Sequence, residues 1–334
     1  MNNPRLTLAL EGDGALPPSG GILVIGARAG DDLDIMPKER VTIVQGFCPD
    51  HDTLAALGWR VVPDIAEAGT GFSAALILLP RSRGQGRGWV AAASNLVAPG
   101  GPLWVDGQKT DGVETMLKDV KARVPVTASF SKAHGKIFGF AAAPLFDDWS
   151  EEALHPVPGF TTRPGVFSAE KVDPGSAQLA GALPMDLKGR VADLGSGWGW
   201  LSARILERPG VTELHLIEAD HGAHRCAKAN ITDPRARFHW ADATKFRPEV
   251  KFNAVISNPP FHTGRAAEPN LGMAFIAAAA GLLAPSGRFF MVANRHLPYE
   301  AVLSKHFGDV REIGGDGAFK LFLASRPATA RPGR

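Results

Sequence analysis

The sequence has 334 residues, of which 45% are hydrophobic and 21% charged, as in soluble globular proteins, and its length suits two domains. The first residues contain no apolar core of signal-peptide length, and no later apolar run is long enough to cross a membrane, so we expect a cytoplasmic protein without membrane contact. Two cysteines, Cys48 and Cys226, exclude a disulfide framework, and the histidines show no metal-binding spacing, so we predict no metal site.

The net charge of +2 is unevenly distributed between the two halves of the sequence. Residues 1–150 carry 14 Lys and Arg against 16 Asp and Glu, a balance of −2, whereas residues 151–334 carry 22 against 18, a balance of +4. A basic surplus is compatible with a polyanionic partner such as RNA, because phosphates attract cations whatever the base sequence. Ordinary variation between two halves of a neutral protein explains the surplus equally well.

The first half alternates short apolar runs with helix-like segments, which is the rhythm of a doubly wound α/β sheet. It is a weaker copy of the second half, because its glycine loop is reduced to residues 26–30 and residues 79–82 read Leu-Pro-Arg-Ser where the second half has Asn-Pro-Pro-Phe. We therefore predict an internal duplication whose first copy is degenerate. The predicted strands of this copy are residues 21–26, 41–44, 59–62, 74–79, 102–105 and 135–140.

Prolines and acidic residues are concentrated between the two copies, as in an ordered linker. We predict a first domain over residues 1–145, a linker over residues 146–164, a second domain over residues 165–326 and a disordered tail over residues 327–334.

The second half shows the same alternation more clearly and ends in a hairpin. The turn of this hairpin is Gly-Gly-Asp-Gly at residues 314–317. An antiparallel hairpin added to a parallel sheet distinguishes the methyltransferase version of this architecture from the dinucleotide-binding one, so a seven-stranded sheet of the methyltransferase type is predicted. Its strands are predicted at residues 191–194, 214–218, 238–240, 254–257, 288–293, 310–313 and 319–324.

A glycine loop follows the first strand of the second half. Gly195, Gly197 and Gly199 remove Cβ atoms where the backbone must turn sharply and approach a ligand, and the next helix offers free N–H groups. Such a loop is weak evidence by itself, because dinucleotide-binding enzymes use a close relative of it and a plain structural turn has the same composition.

Acidic residues follow the next two strands. Glu218 ends the second strand about twenty residues after the loop, where a carboxylate can accept hydrogen bonds from ribose hydroxyls. Asp242 follows the third strand, where a carboxylate can accept from an adenine amino group. Either acid alone is more often a solvated surface residue, but two at consecutive strand ends indicate a nucleoside site.

The motif Asn258-Pro259-Pro260-Phe261 closes the fourth strand of the second half. Two prolines fix φ and remove two backbone donors, so the segment is stiff and presents carbonyl acceptors. The Asn258 oxygen and the Pro259 carbonyl can accept N–H bonds from a planar amine and localise its lone pair, while Phe261 stacks on the base. This pattern favours methylation of a planar nitrogen over the alternative that the prolines merely end a strand.

The sequence resembles the bacterial ribosomal RNA guanine-N2 methyltransferases, the small-subunit type C enzymes and their large-subunit type G relatives. The resemblance rests on the glycine loop, Asn-Pro-Pro-Phe-His at 258–262, and Val-Ala-Asn-Arg-His-Leu-Pro-Tyr at 292–299, which generic methyltransferases lack. Gly-Val-Phe-Ser at 165–168, Asp-Pro-Gly-Ser at 173–176 and Ser-Lys-Ala-His-Gly-Lys at 131–136 also resemble the family. One departure is Thr263, where the family usually has an acid.

The resemblance implies two tandem Rossmann-like class I methyltransferase domains, the second catalytic and the first supporting folding or RNA binding. It implies methyl transfer from S-adenosylmethionine, without a metal and with S-adenosylhomocysteine as product, to the N2 amine of a guanosine in ribosomal RNA, most simply 16S rRNA, free or in a ribosomal subunit. The enzyme is expected to be a monomer. The implied catalytic residues are Asn258, Pro259, Pro260 and Phe261; the cofactor residues are Asp193, Gly195, Ser196, Gly197, Gly199, Glu218, Ala219, Asp242, Ala243 and Asn258; the substrate residues are Phe167, Ser168, Phe261 and His262.

Three alternatives stay open at the level of sequence. Enzymes that methylate a glutamine amide or adenine N6 use the same Asn-Pro-Pro-aromatic motif, usually with Tyr as the aromatic residue. A nicotinamide-dependent oxidoreductase explains the glycine loop and Glu218 but not the motif at residues 258–261. A non-catalytic RNA-binding assembly protein requires a decayed second site, and the intact motifs speak against it.

Overall fold

The structure is a computed structural model that describes residues 3–11, 15–260 and 269–328. The chain divides into two compact units, one made of Met1–Ala153 and Arg163–Gly165 and the other of Leu154–Thr162 and Val166–Arg334.

The first unit is a seven-stranded sheet with helices in its connections. The strand order is β3-β2-β1-β4-β5-β7-β6, in which β7 is antiparallel to both β5 and β6 and the other neighbours are parallel. Its elements are α1 (Pro4–Leu10), β1 (Gly21–Ile25), β2 (Val41–Val44), α2 (Cys48–Ala56), β3 (Arg60–Val62), β4 (Phe72–Leu78), α3 (Arg83–Leu96), β5 (Pro102–Gln108), α4 (Val113–Lys121), β6 (Val126–Lys132) and β7 (Gly135–Ala141).

The second unit repeats this topology, with the order β10-β9-β8-β11-β12-β14-β13 and an antiparallel β14 between β12 and β13. Its elements are α5 (Pro174–Ala182), β8 (Gly189–Leu194), α6 (Trp200–Leu206), β9 (Val211–Glu218), α7 (His221–Asn230), β10 (Ala236–Trp240), β11 (Phe252–Ser257), α8 (Pro269–Leu282), β12 (Leu283–Asn294), α9 (Glu300–His306), β13 (Phe307–Gly315) and β14 (Phe319–Pro327).

The central strands of the second unit are buried on both faces of the sheet. In β11, Val255 packs into the cluster that contains Phe289, whereas Ala254 and Ile256 pack into the cluster on the other face with Phe290. Alternate residues of a strand point to opposite faces, so a continuous apolar run suits a parallel sheet covered by helices on both sides. This packing fixes the register of β8, β9 and β11 and therefore where each strand ends along the edge of the sheet.

The predicted fold class is confirmed, since both halves form seven-stranded α/β sheets with an antiparallel final pair. One strand, β6 (Val126–Lys132), was not predicted. It lies at the edge of the first sheet and most of its residues are partly or fully exposed, so it lacks the apolar run by which the other strands are recognised.

Candidate active site

The predicted site residues of the second unit lie where its parallel strands end. Asp193 is near the end of β8, Glu218 is the last residue of β9, and Asn258 directly follows β11. The carboxyl ends of parallel strands meet at one edge of the sheet, which is where ligands of open α/β folds bind. The structure therefore brings these residues to one edge, as the sequence predicts.

The glycine loop turns the chain from β8 into α6. Gly195, Gly197 and Gly199 have φ values of 73°, 56° and 91°, a left-handed region that favours glycine. The Gly195 N–H donates to the Ile217 carbonyl at 2.9 Å, and the Gly197 N–H donates to Glu218 Oε2 at 2.7 Å. The loop is thus attached to β9 at two points and is held in shape before any ligand arrives.

Asp193 is fully buried beneath this loop. Its Oδ2 accepts a 2.6 Å hydrogen bond from Ser202 Oγ, whereas its Oδ1 has no partner among the described residues. Burial raises the pKa of Asp193 to about 7, against the lowering effect of the Ser202 hydrogen bond. The Ser196 hydroxyl, which lines the adjacent cleft, is likewise buried without a described partner. Buried polar atoms are normally hydrogen-bonded, so these two atoms fit a ligand that carries polar hydrogens.

Glu218 ends β9, the strand that pairs with β8. Its two oxygens accept from the backbone N–H groups of Gly197 and Asp220 at 2.7 and 2.8 Å. Burial nevertheless raises the pKa of Glu218 to about 7, because desolvation of the charged form outweighs these hydrogen bonds. Each carboxylate oxygen keeps a lone pair for a further donor, so Glu218 can still bind a pair of vicinal hydroxyls.

Asp242 and Ala243 follow β10, next to Glu218. One oxygen of Asp242 accepts from both the N–H and the hydroxyl of Thr244, at 2.8 and 2.6 Å, and Ala243 is buried. The other Asp242 oxygen lies 3.7 Å from Lys245 Nζ. Ala219 contributes its carbonyl to the Trp240 indole N–H at 2.8 Å. Asp242 is therefore ordered by its own turn and retains one oxygen for a ligand.

The Asn258 side chain is held by residues at the start of α5. Its Nδ2 donates to Asp173 Oδ2 at 2.7 Å and to Ser176 Oγ at 2.8 Å. Pro259 is buried and Pro260 is exposed. Phe261 and His262, which the sequence assigns to the base, lie outside the described residues.

The segment before α5 forms another wall of the same cleft. Phe167 and Ser168 line it together with Asn258, and the Phe167 side chain is 65% exposed. Ser168 has a φ of 53°, which is uncommon for a residue other than glycine and accompanies sharp turns at functional segments. The structure thus brings Phe167, Ser168 and Asn258 together, as the resemblance implies.

Several residues of the site received no role from sequence. Asp173 and Ser176 contact Asn258, Ser202 contacts Asp193, and Trp198 lines the cleft. An Asp followed by Pro is a recognisable helix start, and Asp173 indeed caps α5 through the Ser176 N–H at 2.8 Å. Its second partner, Asn258, is 85 residues away in sequence, and no local signal predicts that contact.

Comparison with known proteins identifies the group to which this site belongs. The family model Methyltransferase small domain matches residues 158–323. Ribosomal RNA small subunit methyltransferase C of Shewanella baltica is 30% identical over 244 residues, which cover 69% of each chain, and its Shewanella oneidensis counterpart is 31% identical over 245 residues, which cover 69% of this chain and 70% of the relative. The chain belongs to the ribosomal RNA small subunit methyltransferase C family. The prediction of a methyltransferase of this family is thereby confirmed.

A solved structure of this family resembles the whole chain. The Thermus thermophilus 16S rRNA N2 methyltransferase, in complex with AdoMet (S-adenosylmethionine) and guanosine, aligns with a TM-score of 0.81 and 26% identity and covers 97% of this chain and 92% of its own. The likeness includes both units, so the Thermus enzyme has the same tandem arrangement.

The described residues contain neither a membrane-spanning helix nor a cluster of metal-binding side chains. Among the described helices, none is both long and apolar enough to cross a lipid bilayer. Within the same residues, no group of three or more His, Cys, Asp or Glu side chains is arranged to hold a metal ion.

Proposed function

We propose that this chain transfers the methyl group of S-adenosylmethionine to the exocyclic N2 amine of a guanosine in 16S ribosomal RNA. The observation that carries the proposal is the position of Asn258, which stands in one cleft with the glycine loop and the exposed ring of Phe167. The name of the Shewanella relatives and the guanosine bound to the Thermus enzyme support the same substrate.

The methyl donor would bind at the edge formed by β8, β9 and β10. Glu218 would accept from its ribose hydroxyls and Asp242 from its adenine amine, while the buried Asp193 and Ser196 would satisfy polar hydrogens of its amino-acid part. The sulfonium group of the bound donor supplies an electrophilic methyl carbon. The backbone that would surround the donor comes from Gly195, Gly197, Gly199, Ala219 and Ala243.

The base would lie against the motif that begins at Asn258. The Asn258 Oδ1 and the Pro259 carbonyl would accept the two N–H groups of the guanine amine, which localises the nitrogen lone pair toward the methyl carbon. The N–C bond would form as the C–S bond breaks, and the methylated, cationic amine would lose one proton to bulk solvent as the product leaves the site, so no strong base is required before attack. The chain's contribution is alignment and exclusion of water.

Stacking partners for the base remain predictions. Phe167 and Ser168 are exposed to the cleft on one side, and Phe261 and His262 are proposed for the other side from the family resemblance. A guanine stacked in RNA must leave its neighbours to enter such a site, which costs a few kcal/mol.

The setting of the reaction is also part of the proposal. We propose ribosomal RNA, free or in a ribosomal subunit, as the substrate, a cytoplasmic location, a monomeric enzyme, and a role for the first domain in RNA binding or folding. The domain limits proposed from sequence, residues 1–145 and 165–326 joined by a linker, serve as the starting points for separate expression.

The experiment is a transfer assay with isotope-labelled methyl donor on rRNA and small subunits from cells that lack the gene. Label is expected in N2-methylguanosine after nuclease digestion, at one position that primer extension identifies. Label in adenosine or in a protein glutamine would replace the proposed substrate by one of the alternatives. No label in any fraction, together with no binding of S-adenosylhomocysteine, would refute catalysis.

A further inference from the structure

The N-terminus of α5 contacts the Asn258 side chain through two acceptors. Asp173 Oδ2 lies 2.7 Å and Ser176 Oγ 2.8 Å from Asn258 Nδ2, so both protons of this amide nitrogen are engaged. Asp173 Oδ2 also accepts the Ser176 N–H at 2.8 Å, which holds the carboxylate against the helix end. The three side chains line one cleft.

This arrangement determines which way the Asn258 amide faces. An ionised carboxylate can only accept hydrogen bonds, so the amide atom beside Asp173 must be the NH₂ nitrogen. A flipped amide would bring its oxygen against the carboxylate and lose both hydrogen bonds. The Asn258 Oδ1 has no partner within the described residues and is directed away from α5, where it is free to accept from a substrate amine.

We propose that Asp173 and Ser176 are positioning residues, which turn the carbonyl oxygen of Asn258 toward the amine to be methylated. The inference rests on the proposed role of Asn258 and adds the residues that make its amide an acceptor of fixed direction. Hydrogen bonds to the amide nitrogen also polarise the group and strengthen its oxygen as an acceptor. A preset orientation removes a rearrangement that would otherwise precede transfer.

The helix cap supplies the rigidity that such positioning requires. α5 is anchored by Leu179, which is fully buried in the cluster on one face of the sheet. Pro174 occupies the first turn, where its fixed φ suits a helix start. Asp173 is therefore fixed from the helix side, and its contact with Asn258 transmits that rigidity to the site.

The first test separates orientation from folding and from donor binding. Asp173→Asn keeps a good N-cap residue, because the new side-chain oxygen can still accept from both the Ser176 N–H and Asn258 Nδ2, but this acceptor has lost its charge and the adjoining NH₂ group makes a flipped pairing with Asn258 possible. We expect kcat to fall at least tenfold, with the Kd of S-adenosylhomocysteine and the melting temperature changed little. Ser176→Ala should lower kcat less, because one acceptor remains.

Gln178→Ala is the matched control, since it removes one hydrogen bond from the same helix, to Asp316 at 2.7 Å, without touching Asn258. Its kcat is expected to equal that of the wild type. An unchanged kcat in Asp173→Asn overturns the inference. A Kd for S-adenosylhomocysteine that rises as much as kcat falls would instead make Asp173 a donor-binding residue and also overturn it.

A reciprocal exchange gives the sharper test. Asn258→Asp alone sets two carboxylates against each other and is expected to lose at least a hundredfold in kcat. In the double variant D173N/N258D the NH₂ group introduced at position 173 can donate to the carboxylate introduced at position 258, so donor and acceptor are exchanged across the contact, at the cost of the Ser176 N–H hydrogen bond that Asp173 Oδ2 accepts in the wild type. We expect it to regain at least tenfold over N258D. A double variant whose losses simply multiply would show that the two residues act independently and would refute the proposal.

These experiments distinguish a failure of the proposed function from a failure of the positioning role. If the wild-type protein methylates no guanosine in RNA, the substrate assignment fails before any variant is compared. If the wild type is active and the exchange shows no rescue, the substrate stands and only the positioning role of Asp173 is lost.

Discussion

Replacement of Glu218 by Gln should stabilise the ligand-free second unit at neutral and alkaline pH relative to the wild type. The pKa of Glu218 is raised to about 7 from an ordinary value of 4.5. Because its folded-state pKa lies above the unfolded one, the folded state binds the extra proton, and stability declines as pH rises from about 4.5 to about 7. The shift corresponds to about 3 kcal/mol at full ionisation, at 1.36 kcal/mol per pKa unit.

The substitution removes this pH dependence at a small fixed cost. The Gln NH₂ group would meet the Gly197 N–H, which now donates to Glu218 Oε2, so one hydrogen bond worth about 1 kcal/mol is lost at every pH. The stability difference between variant and wild type should therefore move by about 3 kcal/mol in favour of the variant between pH 4.5 and pH 8.

Native-state hydrogen exchange measures this difference in the second unit alone. Protection factors of β8 and β9 amides should rise in the variant, relative to the wild type, by about a hundredfold from the low to the high pH. The amides of β1 and β2 in the first unit are the internal control and should not differ between the two proteins. Parallel pH dependence of wild type and variant would show that Glu218 titrates normally and would refute the argument.

Three other predictions follow from the same site and its surroundings. Asn258→Ala should lower methyl transfer by about 100-fold or more in single-turnover assays while leaving S-adenosylhomocysteine affinity nearly unchanged; an active variant would contradict the acceptor role. The affinity for S-adenosylhomocysteine, measured by calorimetry, should increase by up to about tenfold per pH unit as pH approaches 7, since hydroxyl donors favour ionised Glu218. The Glu218→Gln variant should show a weaker slope, because Asp193, whose pKa is also raised to about 7, still titrates there. The pKa of buried His224 is lowered to about 4, so the free energy of unfolding should fall by about 3 kcal/mol as pH drops from 6.5 toward 4, where only the unfolded state binds the proton. In urea unfolding, the stability of His224→Leu should therefore depend less on acid pH than that of the wild type. An equal pH dependence of the two stabilities would exclude His224 as the cause.

The parallel strands could be predicted from sequence because their chemistry is local. An apolar run such as that of β11 (Phe252–Ser257) is buried on both faces, and the residue that follows it necessarily stands at the ligand-binding edge. The edge strand β6 (Val126–Lys132) was missed because it lacks a continuous apolar run. Its alternation of Val126, Ala128 and Phe130 with polar residues is nevertheless the pattern of a strand with one exposed face and could have predicted it.

The site was predictable to the extent that its residues occupy strand ends. Glu218 and Asn258 were predicted in this way and Asp193 was implied by the family resemblance, and the structure brings all three to one edge of the sheet. What the sequence could not provide is the state of each group: the raised pKa of Glu218 depends on burial, and the orientation of Asn258 depends on Asp173, a contact across 85 residues. Both depend on tertiary packing, which no local pattern records.

The first unit has the same sheet topology as the second but different side chains at the strand ends. Gln45 of the first unit corresponds to Glu218, because Gly26 donates to the residue before Gln45 at 3.0 Å just as Gly195 donates to the residue before Glu218 at 2.9 Å. Both ends of the Gln45 amide are hydrogen-bonded to nearby backbone: Oε1 accepts from the Phe47 N–H at 2.8 Å, and Nε2 donates to the Ala27 carbonyl at 2.5 Å.

Gln45 therefore makes its hydrogen bonds within the chain, whereas Glu218 is a carboxylate with lone pairs left for a ligand. A Cβ at Gly26 would meet the Trp89 ring at 2.4 Å, so an aromatic side chain packs directly against this loop, whereas a Cβ at Gly195 would meet the Phe275 ring only at 3.4 Å. In the second unit, by contrast, the buried acceptor Asp193 Oδ1 has no partner among the described residues and burial raises the pKa of Glu218, so this site contains polar groups that the protein alone does not fully satisfy. A site that binds no ligand has no need of such groups, so its buried polar atoms can all be hydrogen-bonded within the chain.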